Sequence, residues 1–186
     1  MQFEVLALVV DLLDEVGIPH MLAGSFASTF HGEPRMTRDI DLVIDPTGES
    51  LRDFVDHIDR GRFYVGDALT AFQGRDMLNL VDTASGWKVD LIVRKDRPFS
   101  VEEFARRIPV TIGGVDTFVA TAEDTVLTKL EWCKASGSER QFADAVAVAT
   151  VQDLDRAYLA RWGSALAVED LVERLLEVSS TEGSDA

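Results

Sequence analysis

The feature that most narrows the fold is the segment from Met21 to Asp45, in which Gly24-Ser25 precedes Asp39-Ile40-Asp41 by a helix-sized gap. Residues two apart in a β-strand project from one face, so Asp39 and Asp41 share a side while Ile40, Leu42 and Ile44 turn to the core. Carboxylates held that close repel unless a cation lies between them. Oxygen-only ligands on a strand suit Mg²⁺, which keeps several waters and shares its coordination with substrate phosphates. Upstream, the apolar run His20 to Ala23 reads as a short buried strand, and Gly24-Ser25 opens a short helix reaching to about Phe30. The free N–H groups of a helix start attract anions, and Gly24 permits close backbone approach. Ser25 can give its hydroxyl to a phosphate or cap the helix itself.

A small pair Gly-[Gly/Ser], a helix-sized gap and then Asp-x-Asp among hydrophobic neighbours resembles the signature of the polymerase-β-type nucleotidyltransferase superfamily. That resemblance implies a third carboxylate from a neighbouring strand. The strand-like run Trp87 to Val93, with Asp90 flanked by Val89 and Leu91, provides the candidate; a lone Asp in such a run could otherwise end an edge strand facing water. Further on, Thr121 reads as the N-cap of a helix with Asp124 at its third position. Lys129 lies beside that helix's apolar stripe of Ala122, Val126, Leu130 and Cys133. Such a lysine either snorkels to solvent or is aimed at an anion. A following helix from near Glu139 carries Arg140 and Asp144 four residues apart, the spacing of an ordinary surface ion pair. Lys129 and Asp144 also resemble, in type and order, the active-site pair of the AbiEii-type toxins of abortive-infection and toxin–antitoxin systems.

The resemblance implies transfer of a nucleoside monophosphate from an NTP to an acceptor, with Mg²⁺ or Mn²⁺ as cofactor. It implies Asp39, Asp41 and Asp90 as metal ligands, and Asp90, Lys129 and Asp144 as catalytic residues. Gly24, Ser25, Arg38 and Lys129 would bind the nucleotide; Arg35, in the same polar loop as Arg38, is a further candidate for leaving-group charge. The AbiEii likeness points to tRNA as acceptor and to a cognate antitoxin as partner. Two alternatives stand beside it: a transferase that modifies a small molecule such as an aminoglycoside or lincosamide antibiotic, and a non-catalytic nucleotide-binding or antitoxin-like relative.

The 186 residues carry 33 acidic against 18 basic side chains, a net charge of −15. A protein that grips RNA by its phosphates normally has a basic face. The local cluster Arg94, Lys95, Arg97, Arg106 and Arg107 is the one candidate for such a patch, with a solvated loop and helix face as the alternative. An acidic cleft would instead draw a cationic drug. The apolar stretch Leu6 to Val10 is interrupted by Asp11 and Asp14, short of the roughly 20 residues a membrane span needs. The first residues lack the basic region of a signal peptide, and the single Cys133 fits a reducing compartment, so a cytoplasmic protein without a membrane partner is expected. His20, His31 and His57 lack metal-ligand spacing, although His31 could line the nucleotide pocket.

Periodicity predicts a helix over about Phe3–Val16 and another around Glu49–Asp59. A hairpin is expected from Met77–Thr83 against Trp87–Val93, then a helix near Val101–Arg107 and a hairpin over Ile108–Val119 turning at Gly113-Gly114. From Thr121 the pattern is helical to about Val178. The expected fold class is α/β (α+β): a nucleotidyltransferase-type mixed sheet flanked by helices in a catalytic lobe of residues 1–120. A helical lobe over 121–178 completes the active site, with the nucleotide between the lobes, and a small polar tail over 179–186 is expected to be disordered.

Overall fold

Apolar residues at helical spacing, Val5, Leu6, Val9, Val10 and Leu13, are buried along α1 (Gln2–Glu15). Gly17, at φ +66°, follows it in the left-handed conformation that glycine adopts without a Cβ clash. The computed structural model describes residues 2–33, 36, 37 and 39–182. They fall into two units: one comprises the chain to Ala23 together with Thr37–Val119, the other Gly24–Met36 together with the chain from Ala120 onward.

The first unit is built on a seven-stranded mixed sheet. Its strands are β1 (His20–Leu22), β2 (Asp39–Ile44), β3 (Phe63–Val65), β4 (Met77–Asp82), β5 (Lys88–Val93), β6 (Ile108–Ile112) and β7 (Val115–Val119), in the order β3-β4-β5-β2-β1-β7-β6. β1 runs antiparallel to β2 and parallel to β7, and β2 runs parallel to β5. The expected hairpins are both present, β4–β5 and β6–β7. The second turns through Gly113 and Gly114 at φ +59° and +84°, the positive values a two-residue hairpin loop demands.

Register decides which side chains share a face. Leu22 opposes Leu42, and Asp41 opposes Asp90. One face therefore carries Leu22, Ile40, Leu42, Ile44, Val89, Leu91 and Val93, each at most 2 % exposed, while Asp39, Asp41 and Asp90 share the other. The helices of this unit are α1, α3 (Gly48–His57), α4 (Ala68–Gly74) and α5 (Pro98–Arg106). A full capping box starts α3, Thr47 and Ser50 each accepting from the other's backbone N–H. α4, which periodicity did not predict, begins where Asp67 accepts from Thr70 N–H at 3.1 Å, and at seven residues it is too short to display a period. Pro98 at the first helical position starts α5 three residues earlier than expected.

The second unit comprises α2 (Gly24–His31), α6 (Ala122–Ser136), α7 (Glu139–Val151), α8 (Arg156–Ala165) and α9 (Glu169–Glu182). α2 packs on α6 and α7, so the partition departs from a single cut after residue 120. α9 takes in Ser179 and Ser180, their hydroxyls donating back to the Leu176 carbonyl at 3.4 and 2.6 Å, and runs on to Glu182. Residues 183–186 lie outside the described residues.

Candidate active site

In β2 the exposed–buried alternation begins at Asp39, half-buried Asp41 follows two residues on, and Ile40, Leu42 and Ile44 are buried. The parallel pairing to β5 sets Asp41 directly beside Asp90 and Asp39 beside Lys88. Register partners on adjacent strands sit about 4.8 Å apart. Asp39, Asp41 and Asp90 thus lie on one face of adjacent strands.

Asp90 is 4 % exposed and both of its oxygens are engaged. Asn79 Nδ2, across the antiparallel β4–β5 pair, donates to Oδ1 at 2.5 Å, and Lys88 Nζ donates to Oδ2 at 2.7 Å. The hydrogen bond to Asp90 raises the Lys88 pKa above its ordinary value; burial opposes the rise, and the charges of Asp90, Asp39 and Asp41 add to it. Sequence reasoning missed both Asn79 and Lys88. Lys88 lies two residues before Asp90 and so on its face, a signal within reach of strand periodicity, whereas Asn79 depends on a pairing register that only the folded sheet reveals.

The donor set fits a hard divalent cation in kind: carboxylate oxygens on one face of adjacent strands, with no soft ligand among them. Among the described residues no three His, Cys, Asp or Glu side chains close on a common point. The ammonium of Lys88, lying on Asp90, accompanies that geometry.

In the second unit, Gly24 takes φ +53° at the start of α2, and Ser25 follows, half-buried. Lys129 and Asp144, 3 % and 8 % exposed, meet in an ion pair of 2.8 Å that joins α6 to α7. Of the two readings open for Lys129, the fold gives it an anion within the chain. Thr121 caps α6 as expected, and the fully buried Asp124 accepts from the hydroxyls of Thr121 at 2.7 Å and Tyr158 at 2.6 Å. Arg35 and Arg38 lie outside the described residues.

His31, 6 % exposed, donates from Nε2 to the Ala120 carbonyl at 2.7 Å, and its own carbonyl accepts from Gln152. Burial holds its pKa below the ordinary value, opposed by the Ala120 contact and by Glu123. A histidine with a depressed folded pKa takes up its proton more readily in the unfolded chain, so its contribution to stability is present above about pH 6.5 and is lost as the pH falls below it. Thermal unfolding at pH 7.5 and 5.5 should show this loss. His31→Gln should flatten the difference, and an unchanged slope would assign it to other groups.

The arginines of the 94–107 segment are engaged within the first unit. Arg94 pairs with Asp45 at 3.0 Å, Arg97 donates to Ser100 at 3.0 Å, and Arg107 stacks on Phe104 and Phe118 while donating to the Phe104 carbonyl at 2.6 Å. No helix among the described residues is long and apolar enough to cross a membrane.

No protein-family model matches the chain, and no curated protein matches it in sequence. Solved structures do match in shape. An antigenic nucleotidyltransferase-like protein from Paracoccidioides brasiliensis superposes with a TM-score of 0.66 at 18% identity, over 95% of this chain and 89% of that one. The crystal structure of ANT(2'')-Ia in complex with adenylyl-2''-tobramycin gives 0.53 at 13% identity, covering 94% and 96% of the respective chains. The lincosamide antibiotic adenylyltransferase LnuA, lincomycin-bound, gives 0.53 at 11% identity over 77% and 94%. With its mixed sheet, its helices and the acidic strand pair at its centre, the chain has the nucleotidyltransferase fold.

Proposed function

We propose that the protein is a divalent-metal-dependent nucleotidyltransferase, carrying a nucleoside monophosphate from an NTP to a hydroxyl of a small cationic acceptor. The observation that carries this reading is the register of β2 and β5, with Asp41 beside Asp90 and Asp39 one pleat away. A binding-only domain has no physical need for carboxylates so placed. Asp39, Asp41 and Asp90 would hold Mg²⁺ or Mn²⁺, whose charge would polarise the α-phosphate and offset that of the departing pyrophosphate. Asp90 takes the acceptor's proton as the acceptor oxygen bonds to the α-phosphorus and the bond from that phosphorus to the β-phosphate oxygen breaks. Within the second unit, the N–H groups opening α2 at Gly24 and the Ser25 hydroxyl are the groups suited to an anion. Lys129, paired with Asp144, holds α6 to α7 within the second unit.

The preference for a small cationic acceptor rests on charge. The chain carries −15 overall, and Arg94, Arg97 and Arg107 each have a partner inside the fold. Antibiotic-bound structures among the similar folds point the same way. The test is incubation with each α-labelled NTP and Mg²⁺ against aminoglycosides, lincosamides and total tRNA. Label on a drug supports the proposal. Label on tRNA would replace it with the AbiEii-type reading, in which a cognate antitoxin is the partner to seek. Binding of NTP without transfer to any acceptor would leave a nucleotide-binding relative.

A further inference from the structure

We propose that Lys88 is a resident counter-ion of the acidic patch, one that a divalent cation must displace to bind; this rests on the metal-dependent reading above. The ammonium sits 2.7 Å from Asp90 Oδ2, and the β2–β5 register sets Lys88 beside Asp39. It supplies positive charge to three carboxylates that would otherwise repel one another across adjacent strands. Of the two donors on Asp90, Lys88 is the one able to leave. Its side chain is 40 % exposed, on a flexible four-carbon stem, and a released ammonium is readily hydrated. Asn79 is neutral, and its amide can stay on Oδ1 and keep the carboxylate oriented while Oδ2 changes partner.

Two consequences follow from elementary electrostatics. A cation near the patch repels an incoming divalent ion, so the free protein takes up metal more weakly than its carboxylates alone would allow. A triphosphate would offer Lys88 a second anion to pair with once its place on Asp90 Oδ2 was taken.

The experiment is Mn²⁺ binding to the full-length protein without nucleotide, followed by electron paramagnetic resonance, for the wild type, Lys88→Met, Lys88→Gln, Lys88→Arg and Asp41→Asn. Lys88→Met and Lys88→Gln are expected to bind Mn²⁺ about tenfold more tightly than the wild type. Lys88→Arg, which keeps the charge, should stay near it, and Asp41→Asn should lose binding. Equal or weaker affinity in both neutral variants, with binding still lost in Asp41→Asn, would overturn the counter-ion role and leave the metal reading standing. Binding that persists in Asp41→Asn, or that is missing from the wild type and the neutral variants alike, would overturn both.

Discussion

Asp41→Asn is expected to lower nucleotidyl transfer by roughly a thousandfold or more, while the unfolding temperature stays level or rises. The two halves of this expectation have one cause. Asp41 stands beside Asp90 in the parallel register and shares its face with Asp39, so each carboxylate raises the cost of the others when no divalent cation is bound. Removing one charge relieves that repulsion, and the amide keeps the shape. On the proposed reading it also removes an anionic oxygen ligand, which a neutral amide replaces poorly for a hard cation. Transfer rate and thermal melting, measured on one preparation, separate the effects. Retained activity would sink the metal assignment. Lost activity with a large drop in melting temperature would show instead that Asp41 holds the sheet together.

The second large effect concerns the helical unit. Lys129 and Asp144 form their ion pair at 3 % and 8 % exposure, where removing either partner strands the other charge away from water. Lys129→Met or Asp144→Leu alone should cost about 3–5 kcal/mol, and the double variant should recover most of that, since apolar replacement of a whole buried pair is often neutral or stabilising. Chemical denaturation of the two single variants and the double measures this coupling directly. Activity then discriminates between roles. If the double variant regains both stability and transfer, the pair acts by holding α6 to α7. If it regains stability but not transfer, one of the two residues also acts on the substrate.

What could be read from the residues alone follows from the range of the interactions. β2 and β5 were legible because apolar residues flank Asp39, Asp41 and Asp90 at alternate positions, a property contained in six consecutive residues of each strand. Thr121 was legible as a cap because its partner, the Asp124 backbone N–H, is three residues away. Long-range facts were hidden. Asn79 reaches Asp90 only because β4 pairs with β5 in one register, and a slip by one residue would turn it to the other face. α2 looked like part of the strand–helix–strand unit it interrupts, yet it packs with helices that begin some hundred residues later, which no local pattern announces. For Lys129 the local pattern left solvent and an anion both open, and the resemblance that set it beside Asp144 said nothing of an ion pair between them.

The strand order carries a consequence for how the chain reaches its native state. β1 lies between β2 and β7, and its partner β7 begins at Val115, after six of the seven strands have been made. The next helix, α2, waits still longer for α6 and α7. Each unit is therefore built from two stretches of chain separated by a stretch of the other, and no single cut yields two fragments that can each complete a core. Pairings of such long sequence separation are slow to close. During synthesis the acidic strand β2 and the strands β3–β5 are complete well before β7 emerges to flank β1 on its other side.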